Sequence, residues 1–404
     1  MGAEMWYTRN KSQKKWQKGF IRDVLKKKQS NKDTFSRIAT QDTSFLEQKE
    51  AHFPITFCKY YAPTSDNILD IQQQRIWLAH PTSFNDPFDC SIGCDVEEYE
   101  KRCLLKFIKE NEYIDPSSYE EGFTSDEYNR IYNSTTNSEL TNHWLSKLED
   151  YWSVMWDLLK KKTKPFDHKI YEFRREARKE AETKIEKLRN INIRVASFSE
   201  FNRHDGFHKN IQMWSHYADN HKGFCVEFDL SFLKEKTEYT VADYQYYSEP
   251  DQYIMERLKA TIKGCLFPVI YTSSRTNIPV TKLMKLRTDE IENNNHNSDI
   301  DMLLFKAFII KSANWSYEKE WRLILEGDIS SYFENKLPFP YIKKIHLGCK
   351  MDHRTRSTMI GIAKGLNVDV VDLSMDNKKF VLEAQDVSII DRQKEDKRWI
   401  NPFA

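Results

Sequence analysis

The chain has 404 residues, of which 39% are hydrophobic, so it is long and apolar enough to bury at least one large core. This composition excludes a wholly disordered protein. Lys and Arg total 62 against 61 for Asp and Glu, so the net charge gives no reason to expect nucleic acid or a membrane surface as the default partner.

The seven cysteines are scattered along the chain and form no disulfide-like framework, which fits a reducing cytosol. No window approaches the roughly 18 consecutive apolar residues that a membrane helix requires. The Lys-rich beginning of the chain also has no apolar signal core. We therefore expect a cytoplasmic protein with no membrane partner.

The first 50 residues predict a basic helical arm. Between Lys11 and Lys28, apolar residues recur at helical spacing among lysines. This pattern suits a helix that docks one apolar stripe on the main domain, or a surface for nucleic acid or another subunit. The apolar positions are Trp16, Phe20, Ile21, Val24 and Leu25.

The rest of the chain predicts an α+β protein with a mixed β-sheet core. Residues 51–94 and 191–374 supply this core, residues 95–190 form a large helical insertion, and residues 375–404 form a C-terminal strand and tail. Strands are predicted at 55–61, 75–79, 190–200, 223–230, 239–246, 268–272, 320–326, 342–347 and 368–373. Helices are predicted at 67–74, 141–162, 169–188, 211–220, 299–311 and 354–365.

The first candidate site segment joins a strand to a loop. Lys59 and Tyr60 lie on opposite faces of the strand, where either side chain can meet a ligand at a sheet edge. Two carboxylates, Asp86 and Asp89, flank Pro87 in a loop that the prolines keep irregular. Such a loop can aim an acid at a substrate or a metal, although Asp86 can equally cap a turn.

The second candidate segment runs from Ser197 through a histidine-rich helix. Four histidines fall within eighteen residues, but no cysteine or carboxylate joins them at a standard zinc spacing, so we predict no metal site. Trp214 and Tyr217 share one helix face, and His216 lies well round the helix from them. Packed aromatic residues with a hydrogen-bonded histidine are the alternative interpretation.

The third candidate segment contains Glu318, Glu320 and Arg322, which share one face if the chain is extended. Neighbouring carboxylates raise each other's pKa and an arginine lowers it, so such a row can hold similar groups in different protonation states. A surface ladder of ion pairs is the structural alternative.

Taken together, these segments resemble the bacterial family known as domain of unknown function 2971. The resemblance rests on five stretches and covers roughly residues 57–348. It implies a bacterial cytosolic protein, with phage defence as one expected setting. The stretches are Lys59-Tyr60-Tyr61, Trp77-Leu78 through Asp89, Ser197-Phe198-Ser199, Met213 through Phe224, and Trp315 through Arg322.

The order of elements is also similar to that of ADP-ribosyltransferases. This similarity implies NAD as a nucleotide substrate, with Glu320 as the catalytic carboxylate and Glu318 positioning the acceptor. Lys59, Tyr60 and Ser197 would contact NAD, and Trp214 or Tyr217 would stack on nicotinamide. Further assignments are Arg322 beside Glu320, and Asp86 with His216 organising the pocket.

Two other functions stay open. A metal-dependent nuclease or hydrolase would gather Asp86, Asp89, Glu318 and Glu320 around magnesium. A non-catalytic sensor would bind a protein partner, or form an oligomer, through the basic arm or the helical insertion.

Overall fold

The computed structural model describes residues 16–17, 19–20, 48–100, 102–103, 164–200, 210–235, 254–292 and 298–387. The predicted helix at 141–162 and the predicted strand at 239–246 lie outside these residues. The chain divides into two compact units, one of residues 1–91, 192–275 and 297–404, the other of residues 92–191 and 276–296.

The described residues contain both strands and helices, which confirms the predicted α+β class. The strands are β1 (Thr56–Tyr61), β2 (Arg75–Trp77), β3 (Ile193–Glu200), β4 (Phe224–Asp229), β5 (Leu266–Pro268), β6 (Ile270–Thr272), β7 (Ile310–Ser312), β8 (Glu320–Glu326), β9 (Lys336–Pro338), β10 (Ile342–Leu347), β11 (Asp369–Met375) and β12 (Leu382–Asp386). The helices are α1 (Ser65–Gln72), α2 (Lys164–Arg189), α3 (Ile211–Tyr217), α4 (Ile254–Cys265), α5 (Val280–Lys285), α6 (Thr288–Glu292), α7 (Ser298–Ile309), α8 (Gly327–Tyr332) and α9 (His353–Leu366), with 3-10 helices at Pro81–Ser83, Ser231–Lys234 and Ala313–Glu318. No helix among the described residues has the length and apolar character needed to cross a membrane.

Eight of the described strands form one sheet in the order β12-β11-β10-β4-β1-β3-β8-β5. Strands β10 and β11 are parallel, whereas β4, β1, β3 and β8 are antiparallel neighbours. The sheet is therefore mixed, as the sequence predicts. Two smaller ladders, β2 with β9 and β6 with β7, complete the described strands.

The main core lies on one face of this sheet. Along β1, Phe57 and Tyr61 point into it, and the ring of Phe57 contacts those of Phe198 and Trp321 at 6.1 and 5.9 Å between centroids. Each such buried apolar side chain stabilises the fold by roughly 1.5–3 kcal/mol. Trp16 of the N-terminal region also packs against this core, so this part of the arm docks on the domain.

Helix α3 covers the other face of the sheet. Trp214 and Ala218 pack there against Cys58, which alternates with Phe57 along β1. Trp214 has no exposed surface. This packing fixes α3 beside the end of β1.

In the second unit, α2 is the longest helix described, and it falls within the predicted helical insertion. The ammonium group of Lys184 on α2 donates to the hydroxyl of Tyr99 at 3.3 Å and to the carbonyl of Leu283 at 3.4 Å. These buried hydrogen bonds hold α2 against the end of α5.

The third candidate segment is not one continuous strand. Residues Ala313–Glu318 form a 3-10 helix, and Lys319 then adopts left-handed backbone angles, φ 48° and ψ 50°. Because this conformation interrupts the extended chain, the expected alternation fails at Glu318. Glu320 and Arg322 lie on β8, which begins at Glu320 as predicted.

Candidate functional site

The sheet splits between β1 and β3. Strand β1 pairs with β4 along its whole length, from Thr56 to Tyr61. In the described ladder it pairs with β3 only through Phe57 and Cys58. Beyond Cys58 the two strands separate, and a cleft of about 540 Å³ opens between them. Helix α3, the loop at 83–89 and the beginning of β8 also line this cleft.

Lys59 spans the split. Its ammonium group donates a hydrogen bond of 3.0 Å to the carbonyl of Ser197 on β3, and it lies over the rings of Tyr61 and Phe198. Burial lowers the pKa of Lys59 to about 8, although the charge of Glu320 works in the opposite direction. The cleft therefore holds an amine that is still mainly cationic at neutral pH.

Two glutamates meet one lysine at the wall of the cleft. The ammonium group of Lys311 on β7 lies 2.6 Å from Oε2 of Glu318 and 3.0 Å from Oε2 of Glu320. Glu318 ends the 3-10 helix and Glu320 begins β8, so the turn at Lys319 brings both carboxylates to the same cation. Both glutamates line the cleft.

A buried arginine holds Glu320 from the other side. Arg322 has no exposed surface, and its guanidinium binds Oε1 of Glu320 at 2.7 Å and both carboxylate oxygens of Asp89 at 2.7 and 2.8 Å. Lys311 also reaches Asp89, at 3.1 Å. We call these five residues, Asp89, Lys311, Glu318, Glu320 and Arg322, the ion cluster. A buried charge that loses its partner costs several kcal/mol, so the cluster fixes the loop at 83–89 against β8.

The two glutamates have opposite pKa shifts. Burial, followed by the charge of Glu320, raises the pKa of Glu318 to about 7 against the opposing effect of Lys311. Burial also works to raise the pKa of Glu320, but the charges of Arg322 and Lys311 outweigh it and lower this pKa to about 2. Near neutral pH, Glu320 is ionised and Glu318 can gain or lose a proton.

Two tyrosines support this pair. The hydroxyl of Tyr217 donates to Oε1 of Glu318 at 2.5 Å, and the hydroxyl of Tyr271 accepts the backbone N–H of Glu320 at 2.8 Å. Burial, helped by the charge of Glu318, raises the pKa of Tyr217 above its ordinary value, so this hydroxyl keeps its proton. Both contacts hold the glutamates in place without adding charge.

The structure brings most of the predicted site residues together. The predicted residues that line the cleft are Lys59, Tyr60, Ser197, His216, Tyr217, Glu318 and Glu320. Trp214, Asp86 and Arg322 are not among the described residues that line it. All three candidate segments nevertheless contribute to this one cleft.

Each of the three other residues has a partner elsewhere. Trp214 packs edge-on against Tyr60 at 5.3 Å between ring centroids. Asp86 accepts the indole N–H of Trp315 at 2.7 Å, and Trp315 in turn contacts His216 at 5.7 Å between ring centroids. Asp86 and Trp315 thus support a residue that does line the cleft, whereas Arg322 acts within the ion cluster.

Sequence reasoning missed Lys311 as the centre of the carboxylate pair. It follows residues 302–310, which are apolar except for Lys306, and a lysine at the end of such a stretch is a weak signal of a buried cation. The sequence likewise gives no sign that Tyr271 reaches Glu320. The predicted histidine group lies partly outside the described residues, at His204 and His208.

Among the residues that the structure describes, no group of three or more His, Cys, Asp or Glu side chains is arranged to hold a metal ion. Residues 213–323 match the model of a family described as Protein of unknown function (DUF2971). This match supports the resemblance over that part of the chain, which includes most of α3 and both glutamates. No curated protein and no solved structure matches the chain.

Proposed function

We propose that this protein binds NAD in the cleft between β1 and β3 and cleaves the bond between nicotinamide and ribose, as an ADP-ribosyltransferase-like or NAD-cleaving enzyme. The observation that carries the proposal is the pair Glu318 and Glu320, which share Lys311 on the cleft wall. Their pKa values of about 7 and about 2 suit two different roles in one reaction.

Glu320 supplies a permanent negative charge in this proposal. When the glycosidic bond breaks, its electron pair goes to the nitrogen of nicotinamide, which leaves as a neutral molecule. The ribose carbon then carries the positive charge of an oxocarbenium ion. A fixed carboxylate stabilises that charge and accepts a hydrogen bond from a ribose hydroxyl.

Glu318 acts on the acceptor. Water or a nucleophilic side chain forms the new bond to the ribose carbon and must lose a proton, which ionised Glu318 takes. A pKa of about 7 suits a general base at neutral pH. Attack by water gives ADP-ribose, and attack by another group gives an ADP-ribosylated acceptor.

The other lining residues bind the substrate. Lys59 and Tyr60 contact the dinucleotide from β1, and Ser197 contacts it from β3. Tyr217 is better placed than Trp214 to stack on nicotinamide, because it lines the cleft and Trp214 is wholly buried. Asp86 organises the pocket through Trp315 and His216.

We also propose that the protein acts in the bacterial cytoplasm as an effector, with phage defence as its setting. The family resemblance is the support for that placement. The acceptor, if it is not water, is a protein or a nucleic acid.

The metal-dependent hydrolase ranks below this proposal for a structural reason. Both oxygens of Asp89 bind Arg322, and Asp86 binds Trp315. Glu318 and Glu320 already bind the ammonium group of Lys311. Magnesium would have to displace two cations and an indole N–H before four carboxylates could surround it.

The test is incubation of the purified chain with NAD and, separately, with magnesium plus RNA or DNA. We expect wild type to release nicotinamide, Glu318→Gln and Glu320→Gln to lose at least 100-fold in rate, and the exposed control Glu383→Gln to match wild type. Nucleic-acid cleavage with intact NAD would replace this proposal by the hydrolase. Inertness in both assays would favour the non-catalytic sensor.

A further inference from the structure

Strand β3 lies between two sets of side chains that line the cleft. On its β8 side Ser199 pairs with Glu320, whereas on its other side the carbonyl of Ser197 accepts a hydrogen bond from Lys59 and Val195 forms an antiparallel bridge with Ala79. Two strand spacings, or about 10 Å, therefore separate β8 from the segment that contains Ala79. The cleft has carboxylates on one side of β3 and the amine of Lys59 on the other.

Trp77 lies on the side of β3 away from the carboxylates. It precedes Ala79 by two residues, so the antiparallel bridge puts it level with Ser197. Its side chain lines the cleft and keeps 46% of its surface exposed. An indole with so much exposed surface gains free energy when a flat aromatic group covers it.

The backbone of Trp77 is held firmly. It pairs with Lys336 in the β2–β9 ladder, and the next residue, Leu78, donates its N–H to the carbonyl of Asn335 at 2.8 Å. Lys336 itself binds Asp70 at 2.8 Å. The indole is thus attached to a rigid ribbon, which lowers the entropic cost of stacking.

We infer that the cleft is built for a dinucleotide and that Trp77 stacks on its second base, the one remote from the reacting ribose. This inference rests on the proposed function and names the part of NAD that gives affinity. Glu320 faces the reacting ribose, Lys59 faces the diphosphate, and Trp77 faces adenine. A mononucleotide would fill the carboxylate end and leave Trp77 uncovered.

Binding measurements separate the two ends of the cleft. We expect Trp77→Ala to weaken the binding of ADP-ribose by about 5- to 150-fold in calorimetric titration, the factor that about 1–3 kcal/mol of base stacking represents. Nicotinamide mononucleotide lacks adenosine, so its inhibition constant for nicotinamide release from NAD should be the same in wild type and in Trp77→Ala. Trp77→Phe should restore most of the affinity, because phenylalanine also stacks.

The matched control is Phe380→Ala, which removes a ring that is 99% exposed and is not among the described residues that line the cleft. It should bind ADP-ribose like wild type. Equal affinity of wild type and Trp77→Ala for ADP-ribose would overturn the inference, and so would a Trp77→Phe variant as weak as Trp77→Ala. If wild type still releases nicotinamide in that case, only this inference fails; if wild type neither binds ADP-ribose nor cleaves NAD, the proposed function fails with it.

Discussion

Glu318 and Glu320 bind the same ammonium group, that of Lys311, at 2.6 and 3.0 Å, yet their pKa values differ by about five units, about 7 against about 2. The difference comes from their other partners. Glu320 also binds the cationic guanidinium of Arg322, whereas Glu318 binds the neutral hydroxyl of Tyr217. One lysine therefore serves two carboxylates in different protonation states.

The hydroxyl of Tyr217 should lower the pKa of Glu318. It donates a hydrogen bond to the carboxylate and so favours the ionised form, which lowers the pKa of Glu318. In Tyr217→Phe we expect the midpoint of the pH–rate profile for nicotinamide release to move to higher pH by roughly one unit. Tyr341→Phe, which removes a hydroxyl remote from the carboxylate pair, should leave the midpoint in place; a shift toward acid in Tyr217→Phe would contradict this role.

Glu320 should contribute strongly to stability. Because Glu320→Gln leaves Arg322 and Lys311 short of a buried negative charge, we expect its free energy of unfolding at neutral pH to fall by about 3–5 kcal/mol. The folded pKa of about 2 lies below the ordinary 4.5, so wild type should lose this contribution as pH falls from about 4.5 to about 2. Urea unfolding measures both effects, and a Glu320→Gln variant as stable as Glu383→Gln would refute them.

Glu318 should have the opposite effect on stability. The pKa of Glu318 in the folded protein is raised from 4.5 to about 7. The contribution of Glu318 to the free energy of unfolding is therefore fully present below about pH 4.5 and is lost as pH rises through 7. Glu318→Gln resembles the protonated form at every pH. The free energy of unfolding of wild type should therefore decline relative to this variant by roughly 3 kcal/mol across that range, and parallel curves would show that the carboxyl does not titrate there.

The strands were predictable where short stretches are rich in apolar residues that favour β structure. Residues 320–326 and 342–347 match β8 and β10, because their apolar residues suit a buried sheet. The convergence of the three segments also follows from the sequence, through the motifs at Lys59, Ser197 and Glu320. The side-chain pattern of β1 is the same whether its edge is paired or open, so the split from β3 leaves no sign in the sequence.

The ion cluster was only partly predictable. Glu318, Glu320 and Arg322 are close in sequence, but Lys311 and Asp89 reach them through the packing of β7 and of the loop at 83–89. Such non-local contacts carry no periodic signal. Lys319 adopts left-handed backbone angles, which are unfavourable for residues that have a Cβ atom. Local backbone preference therefore predicts an extended chain at Lys319, and the structure differs from that prediction.

Gly223 should be needed where the turn between α3 and β4 closely approaches the end of β1. A Cβ at this position would lie 2.0 Å from the carbonyl oxygen of Tyr61, so the backbone would have to move. We expect Gly223→Ala to destabilise the protein by about 1–3 kcal/mol in thermal or chemical unfolding. Gly361→Ala is the control, because a Cβ there meets nothing within 4 Å and α9 should gain about 0.5–1 kcal/mol; equal effects of the two changes would contradict the tight contact.

The rate of nicotinamide release from NAD, measured from roughly pH 5 to pH 9, tests the central claim most directly. Wild type and Glu383→Gln should show a rate that rises with pH and has a midpoint of about 7, the pKa of Glu318. Glu318→Gln should be slow and lack that rise, while it remains folded. A wild-type protein that releases no nicotinamide, or a Glu318→Gln variant with the same pH profile as wild type, would contradict the account.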